Sequence, residues 1–399
     1  MKSQEQLQLL DKEELALRLD RLDMLMGISG IDTILVCDNA NIYYLTGRVF
    51  CGYIIYQRGS RRPVYFVRRP VTFAGDSIVS IRKPEQIAEH FDKLLSSPLG
   101  KTAIETESLS YAQVIRLANA LGLESFENAD SLMRKARAVK TPTEIAKIEH
   151  SGECQERVYR QIPRLYREGM SDIELQIEIE RASRLEGCLG LFRIGGNDME
   201  LFMANILAGD NADAPSPYDF AMGGAGADPS LPVGADGTII SPGQSVMVDA
   251  NGNYTGYMTD MTRTFALAPL PDEAMKAHRL SCDICAAIAD KARPGVEASE
   301  LYKLAFSMAE EAGMAEYFMG HRQHAGFVGH GVGIQINELP VIAPRSKDII
   351  EAGNVIALEP KFVIPHVGAV GIENTYIVCA DGPMRCVTKA PENIVSLAD

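Results

Sequence analysis

Leu15, Leu19, Leu22 and Met26 recur at helical spacing near the start of the chain, which predicts an amphipathic helix over residues 5–26, ended by Gly27. Short β-rich runs follow at 33–37, 53–56 and 64–67, the last two separated by the turn Arg58-Gly59-Ser60. A helix near 84–95, a strand near 102–105 and a helix near 110–121 come next. Strands alternating with helices describe a compact α/β domain that ends near residue 135.

A new pattern starts at Lys140-Thr141-Pro142-Thr143-Glu144. Thr141 as N-cap, Pro142 at the first helical position and Glu144 three residues after the cap form a capping box that opens a long helix. Ser171 and Glu174 form a second box, and that helix stops near Gly187. Residues 208–245 are rich in Gly, Pro, Ala and Asp and read as loops and short strands. Helices are predicted at about 271–292 and 298–312, and the remainder is mainly strands. Helix pairs mixed with antiparallel strands describe an α+β domain.

Composition narrows the class. At 399 residues the chain is too long for one small core, and two domains are expected, 1–136 and 137–399. A net charge of −14 argues against nucleic acid or an anionic membrane as partner. The charged start Met1-Lys2-Ser3-Gln4-Glu5-Gln6 does not read as a secretory signal, and no apolar run is long enough to span a bilayer. Eight scattered cysteines read as reduced thiols of a cytoplasmic protein. Cys282 and Cys285 form a lone CxxC inside a helical pattern, without the second pair a zinc ribbon needs. The glycines at 223, 224 and 226 lack the spacing of a nucleotide-binding loop.

The chemistry lies in the last 150 or so positions. Asp249 ends one apolar run, Asp260 follows a Gly/Asn-rich turn, and His330 sits in Gly329-His330-Gly331-Val332-Gly333. Glu359 closes a further apolar run and Glu373 opens another. Carboxylates at the ends of buried strands are costly unless paired or metal-bound. Asp249 and Asp260 are 11 residues apart, so a hairpin can bring both to one cavity, and Glu359 and Glu373, 14 apart, allow the same. Four oxygen donors and one imidazole suit Mn, Co, Fe or Zn. Two ions sharing bridging carboxylates balance the charge best, and such a pair activates a bridging water for hydrolysis of an amide or related carbonyl compound.

These motifs carry a resemblance. The stretches around Val248-Asp249, Gly256 to Thr264, Gly329 to Gly333, Leu358-Glu359-Pro360 and Gly371 to Thr375 resemble the signature of the pita-bread metallopeptidases. That superfamily includes Xaa-Pro dipeptidase, aminopeptidase P, methionine aminopeptidase and the metal-free creatinase. Tyr44-Leu45-Thr46-Gly47 and the run from Arg137 to Glu144 resemble the creatinase-type N-terminal domain and its junction. The resemblance implies an α+β pita-bread catalytic domain preceded by a smaller α/β creatinase-type domain, in a homodimer where that domain caps the partner's site. It implies two divalent ions per chain, one held by Asp249 and Asp260 and the other by His330 and Glu359. Asp260 and Glu373 would bridge them, and Glu359 and His330 would be the catalytic residues, Glu359 as proton carrier.

Two departures stand out. Where the family carries a histidine after a proline upstream of the first aspartate, this chain has Val233, and seven residues past His330 the second family histidine is Asn337. Asparagine donates a hydrogen bond but does not shuttle protons. Candidate substrate contacts are Asn337, His324, Arg193 and His366; for His324, as for His321, and for His366 the plainer reading is a solvated loop histidine. Arg263 is expected to pair with a metal-binding carboxylate, and His278 to be structural. Three functions stay open: a dinuclear Xaa-Pro dipeptidase or aminopeptidase, a hydrolase or lyase of a small C–N metabolite (creatinase-like or ectoine hydrolase-like), and a binding protein that lost catalysis.

Overall fold

The structure, a computed structural model, describes residues 6–196, 201–218 and 220–398. These form two compact units, the first running through Arg137 and the second starting at Ala138.

In the first unit the strands are β1 (Thr33–Val36), β2 (Cys51–Gln57), β3 (Val64–Arg69), β4 (Ile78–Ser80), β5 (Thr102–Ile104) and β6 (Glu127–Asn128), in the sheet order β4-β3-β2-β1-β5-β6. Leu35, Ile55, Phe66 and Ile104 from the sheet pack with Leu117 of the helix Tyr111–Leu121. The first helix is Lys12–Ser29, and it differs from the expectation at both ends. Residue 5 lies outside the described residues, and residues 6–11 are not helical. Asp11 caps the start by accepting the Glu14 N–H at 2.7 Å. The helix runs through Gly27 because the left-handed residue that ends it is Gly30, at φ 65°. The helix Asn39–Thr46 escaped the sequence pattern, although Asp38 at its N-cap and Gly47 at its C-cap are the expected signals. Over 84–95 there are only two 3₁₀ turns and the short helix Phe91–Leu94.

In the second unit both capping boxes form. Thr141 Oγ1 accepts the Glu144 N–H at 3.2 Å and Glu144 Oε2 accepts the Thr141 N–H at 2.9 Å, opening the helix Pro142–Tyr159. Ser171 and Glu174 do the same for Asp172–Leu185. The strands are β7 (Ala204–Ala208), β8 (Ser245–Asn251), β9 (Asp260–Ala266), β10 (Gly329–Gly331), β11 (Glu338–Ile342), β12 (Val355–Leu358), β13 (Lys361–Ile364), β14 (Gly368–Gly371), β15 (Asn374–Ile377), β16 (Arg385–Cys386) and β17 (Val395–Ser396). They make a sheet ordered β17-β9-β8-β7, a second ordered β11-β10-β12-β15-β16, and the pair β13-β14. Ile284 and Ile288 of the helix Asp272–Lys291 and Leu301 and Ala305 of Ala298–Glu311 pack with Ile356, Leu358, Phe362 and Val370 in one core. Fully burying such aliphatic side chains stabilises by about 1.5–3 kcal/mol each. Cys282 and Cys285 lie on the first of these helices, and all eight cysteines are free. Among the described residues no helix is long and apolar enough to cross a membrane.

Candidate metal centre

The hairpin β8–β9 pairs Asp249 with Thr262 and Asn251 with Asp260. Side chains two apart on a strand share a face, so Asp249, Asp260 and Thr262 point the same way. On the second sheet, His330 is paired with Ala357 and Leu358 with Asn374, so Glu359 and Glu373 follow on adjacent positions just beyond the ladder. The two sheets meet where Thr262 and Glu373 bridge: Glu373 N–H donates to Thr262 O at 3.1 Å, Thr262 N–H donates to Glu373 O at 3.3 Å, and Thr262 Oγ1 donates to Glu373 Oε2 at 2.8 Å. Thr375 Oγ1 accepts the Asp260 N–H at 2.8 Å and donates to Asp260 O at 2.9 Å, which pins that aspartate to β15. The glycine frame of His330 has a steric cause. A Cβ at Gly329 would sit 2.5 Å from Ala357 O, and one at Gly331 would sit 2.1 Å from Leu339 O.

The donor atoms fall into two groups that share Glu373: Asp260 with His330, and Asp249 with Glu359. Within each group they lie within 4.8 Å of one another. The first group suits a cation. His330 Nδ1 is 3.1 Å from the Gly331 carbonyl and must carry a proton to donate there, which turns Nε2 inward as the free nitrogen. Nε2 faces Glu359 Oε1 at 3.3 Å and Asp260 Oδ2 at 3.9 Å, a contact of lone pairs that a proton or a metal ion must relieve. Glu373 Oε1 is buried with no hydrogen-bond partner among the described residues. A buried oxygen so placed is open to a cation or to a proton.

The second group already holds a cation. Lys361, 1% exposed, places Nζ at 3.0 Å from Asp249 Oδ2, 2.9 Å from Glu359 Oε2 and 3.2 Å from Glu373 Oε2. The sequence reading passed over this lysine.

Electrostatics follow from this crowding. Burial, then the charges of Glu373, Asp249 and Glu359, push Asp260 well above the usual carboxylate range. Burial and Glu359 push Glu373 up to about 8. Burial opposes the ionised form of Glu359, but the Lys361 charge and the His330 hydrogen bond outweigh it and pull the group down to about 2. Burial disfavours the imidazolium of His330, yet the hydrogen bond and charge of Glu359 outweigh it and raise the group to about 9. Without a metal, protons sit where a divalent ion would bind.

The other expected residues have hydrogen-bond partners of their own. Asn337 is clamped to a loop, accepting the Gly195 N–H and donating to Gly195 O, each at 2.7 Å. Arg193 lies in the same loop, its carbonyl accepting the Ile336 N–H at 2.8 Å. His324 is exposed, with Nδ1 2.9 Å from Phe318 O. His366 is 92% exposed and pairs with Asp210 at 3.3 Å. His321 pairs with Asp213 at 2.9 Å. Val233 is buried. His278, also buried, joins Glu392 O at 2.7 Å to the Gly371 N–H at 3.2 Å. Arg263 touches no metal-site carboxylate; its guanidinium holds the backbone carbonyls of Thr262, Glu373 and Ala390.

Residues 146–380 match the description of metallopeptidase family M24, more than half of the chain. The chain belongs to metallopeptidase family M24. Residues 18–139 of this family M24 protein match the creatinase/prolidase N-terminal domain. An Xaa-Pro dipeptidase of Pyrococcus horikoshii is 25% identical over 373 residues, covering 93% of this chain and 96% of that protein. The structure of an Xaa-Pro dipeptidase from Bacillus anthracis superimposes with a TM-score of 0.78 at 23% identity, over 96% of this chain and 99% of that one. The prolidase structure from Pyrococcus horikoshii gives a TM-score of 0.74 at 22% identity, over 95% and 99%. The architecture is therefore the expected one, a pita-bread catalytic domain after a creatinase-type N-terminal domain.

Proposed function

We propose that this protein is a metal-dependent peptidase of the Xaa-Pro dipeptidase type. The observation that carries the proposal is the convergence of Asp260, His330 and Glu373, with Glu373 Oε1 buried and without a hydrogen-bond partner among the described residues. The names of the full-length relatives supply the substrate class. Of the two ions the sequence suggests, the proposal retains the one in this group. A divalent ion held there supplies Lewis acidity, polarising a carbonyl oxygen and acidifying water. Asp260 and Glu373 provide the oxygens and His330 the nitrogen. Glu359, kept ionised by Lys361, presents Oε1 on the same side as His330 and takes up a proton there. Substrate contact by Asn337, Arg193, His324 and His366 stays an expectation of this reading. The expected homodimer and cytoplasmic location belong to the same reading, and light scattering of the purified protein tests the dimer.

The test is a panel of Xaa-Pro dipeptides, Xaa-Pro-containing tripeptides, and amidino and N-acyl compounds, offered to protein stripped with chelator and reloaded with manganese. Hydrolysis of the dipeptides only after reloading, lost together with the metal in Asp260→Asn, is the expected result. Turnover of the small amidino or N-acyl compounds with no peptide cleaved overturns the peptidase reading.

A further inference from the structure

Lys361 Nζ is an ammonium with three donors and no lone pair. Each donor meets a different carboxylate, Asp249, Glu359 and Glu373, at 2.9–3.2 Å. These are the three residues of the second candidate metal group. A divalent ion bound by carboxylates needs oxygens at about 2.0–2.2 Å, so the cradle is spaced for an ammonium and filled by one. An ion placed among the same oxygens would have to expel Nζ, which cannot coordinate it, from a position where the residue is 1% exposed. The first group is free of this conflict, because Nζ contacts neither Asp260 nor His330 and uses only Oε2 of Glu373, leaving Oε1 unpartnered. Charge gives the same answer. Four carboxylates carry −4, and Lys361 with one divalent ion brings the cluster to −1. Adding a second divalent ion would leave +1 in a buried site, with the ammonium against the metal.

We propose that Lys361 is a built-in cation that takes the place of the second metal ion, so that the centre binds one divalent ion per chain, at Asp260, His330 and Glu373. Asp249 then serves to hold the lysine instead of a metal. The proposal rests on the metal-dependent reading above, and the two fail differently.

The experiment counts metal. Full-length protein is stripped with chelator, titrated with Mn²⁺ by calorimetry, and examined by electron paramagnetic resonance and elemental analysis after gel filtration. The expected result is one ion per chain with the six-line spectrum of isolated Mn²⁺. Lys361→Met keeps the stem, removes the charge, and should take up two ions with an exchange-coupled spectrum. Two ions in the unaltered protein, or one ion still in Lys361→Met, overturn the inference while leaving the metal-dependent reading intact. No ion in the unaltered protein overturns both. Should Lys361→Met fail to fold, Asp249→Asn decides together with the unaltered protein. Retention of one ion agrees with Asp249 holding only the lysine, and loss of that ion overturns it.

Discussion

Replacing Arg263 with methionine removes a buried guanidinium that organises the junction of the two sheets. Its Nη1 donates to Thr262 O and Glu373 O at 2.8 Å each, Nη2 to Asn374 Oδ1 at 2.7 Å and Ala390 O at 2.9 Å, and Nε to Ala390 O at 3.2 Å. The acceptors do not suffer equally. Thr262 O keeps the Glu373 N–H, Glu373 O keeps the Thr262 N–H, and Asn374 Oδ1 keeps the Thr388 hydroxyl at 2.9 Å. Ala390 O, in a residue 3% exposed, has no other donor among the described residues. Stranding one buried acceptor costs about 1–3 kcal/mol, and the lost charge-assisted bonds add to that. Relief from burying the guanidinium, whose charged form burial already disfavours, offsets part of it. The net loss works out at about 2–4 kcal/mol. With a urea slope of roughly 2–3 kcal/mol per M, the midpoint falls by about 1 M. The chain has no tryptophan, so far-UV circular dichroism and tyrosine fluorescence follow unfolding, and the catalytic unit's transition is the one that Mn²⁺ raises. A fall of less than about 0.2 M, within the range of ordinary surface substitutions, would refute the assignment of Arg263 as the support of this junction.

Thr262→Val deletes the 2.8 Å hydrogen bond to Glu373 Oε2 and should weaken Mn²⁺ binding about 10–100-fold by calorimetry with the fold retained; unchanged affinity would show that Thr262 does not orient this carboxylate. In metal-free protein His330 is raised from 6.5 to about 9 and Glu373 from 4.5 to about 8. Their contributions to stability are complete below the unfolded values and are lost as pH rises through the folded ones. Glu359, depressed to about 2, loses its contribution only as pH falls from 4.5 towards 2. The metal-free unfolding midpoint should therefore fall between pH 6.5 and 9 while Mn²⁺ affinity rises, because ligands must shed protons to bind; opposite trends would contradict the electrostatics. Asn337→Ala loses two 2.7 Å bonds to Gly195, about 1–3 kcal/mol in all, and should speed proteolytic cutting near residues 191–196 without changing the metal count.

The sequence pattern reached furthest where local chemistry dictates geometry. Thr141-Pro142-Thr143-Glu144 and Ser171-Asp172-Ile173-Glu174 cap their helices by bonds between residues three apart, so spacing alone locates them. Asp249 and Asp260 were readable as neighbours because strand period and a Gly/Asn turn set the hairpin register. Gly27 misled because glycine ends a helix only where the left-handed conformation is needed, and that place is Gly30. Lys361 was not legible as a site residue because a cation following Glu359-Pro360 looks like any surface charge; its pairing with Asp249 and Glu373 is a tertiary contact. Nearness in sequence to a ligand does not set the direction of a loop side chain, so the partners of Asn337, His324 and His366 were not legible. Asn337 turns to the Gly195 peptide, and His366 faces solvent beside Asp210.

The claim at the centre of this account is that one divalent ion sits among Asp260, His330 and Glu373 beside a lysine ammonium. Anomalous diffraction from crystals of manganese-loaded protein, collected on both sides of the manganese absorption edge, tests it most directly. The account predicts a single strong peak per chain within bonding distance of those three side chains, with Lys361 Nζ still against Asp249, Glu359 and Glu373. No peak in the cluster, or a peak at the position of Nζ, would contradict it.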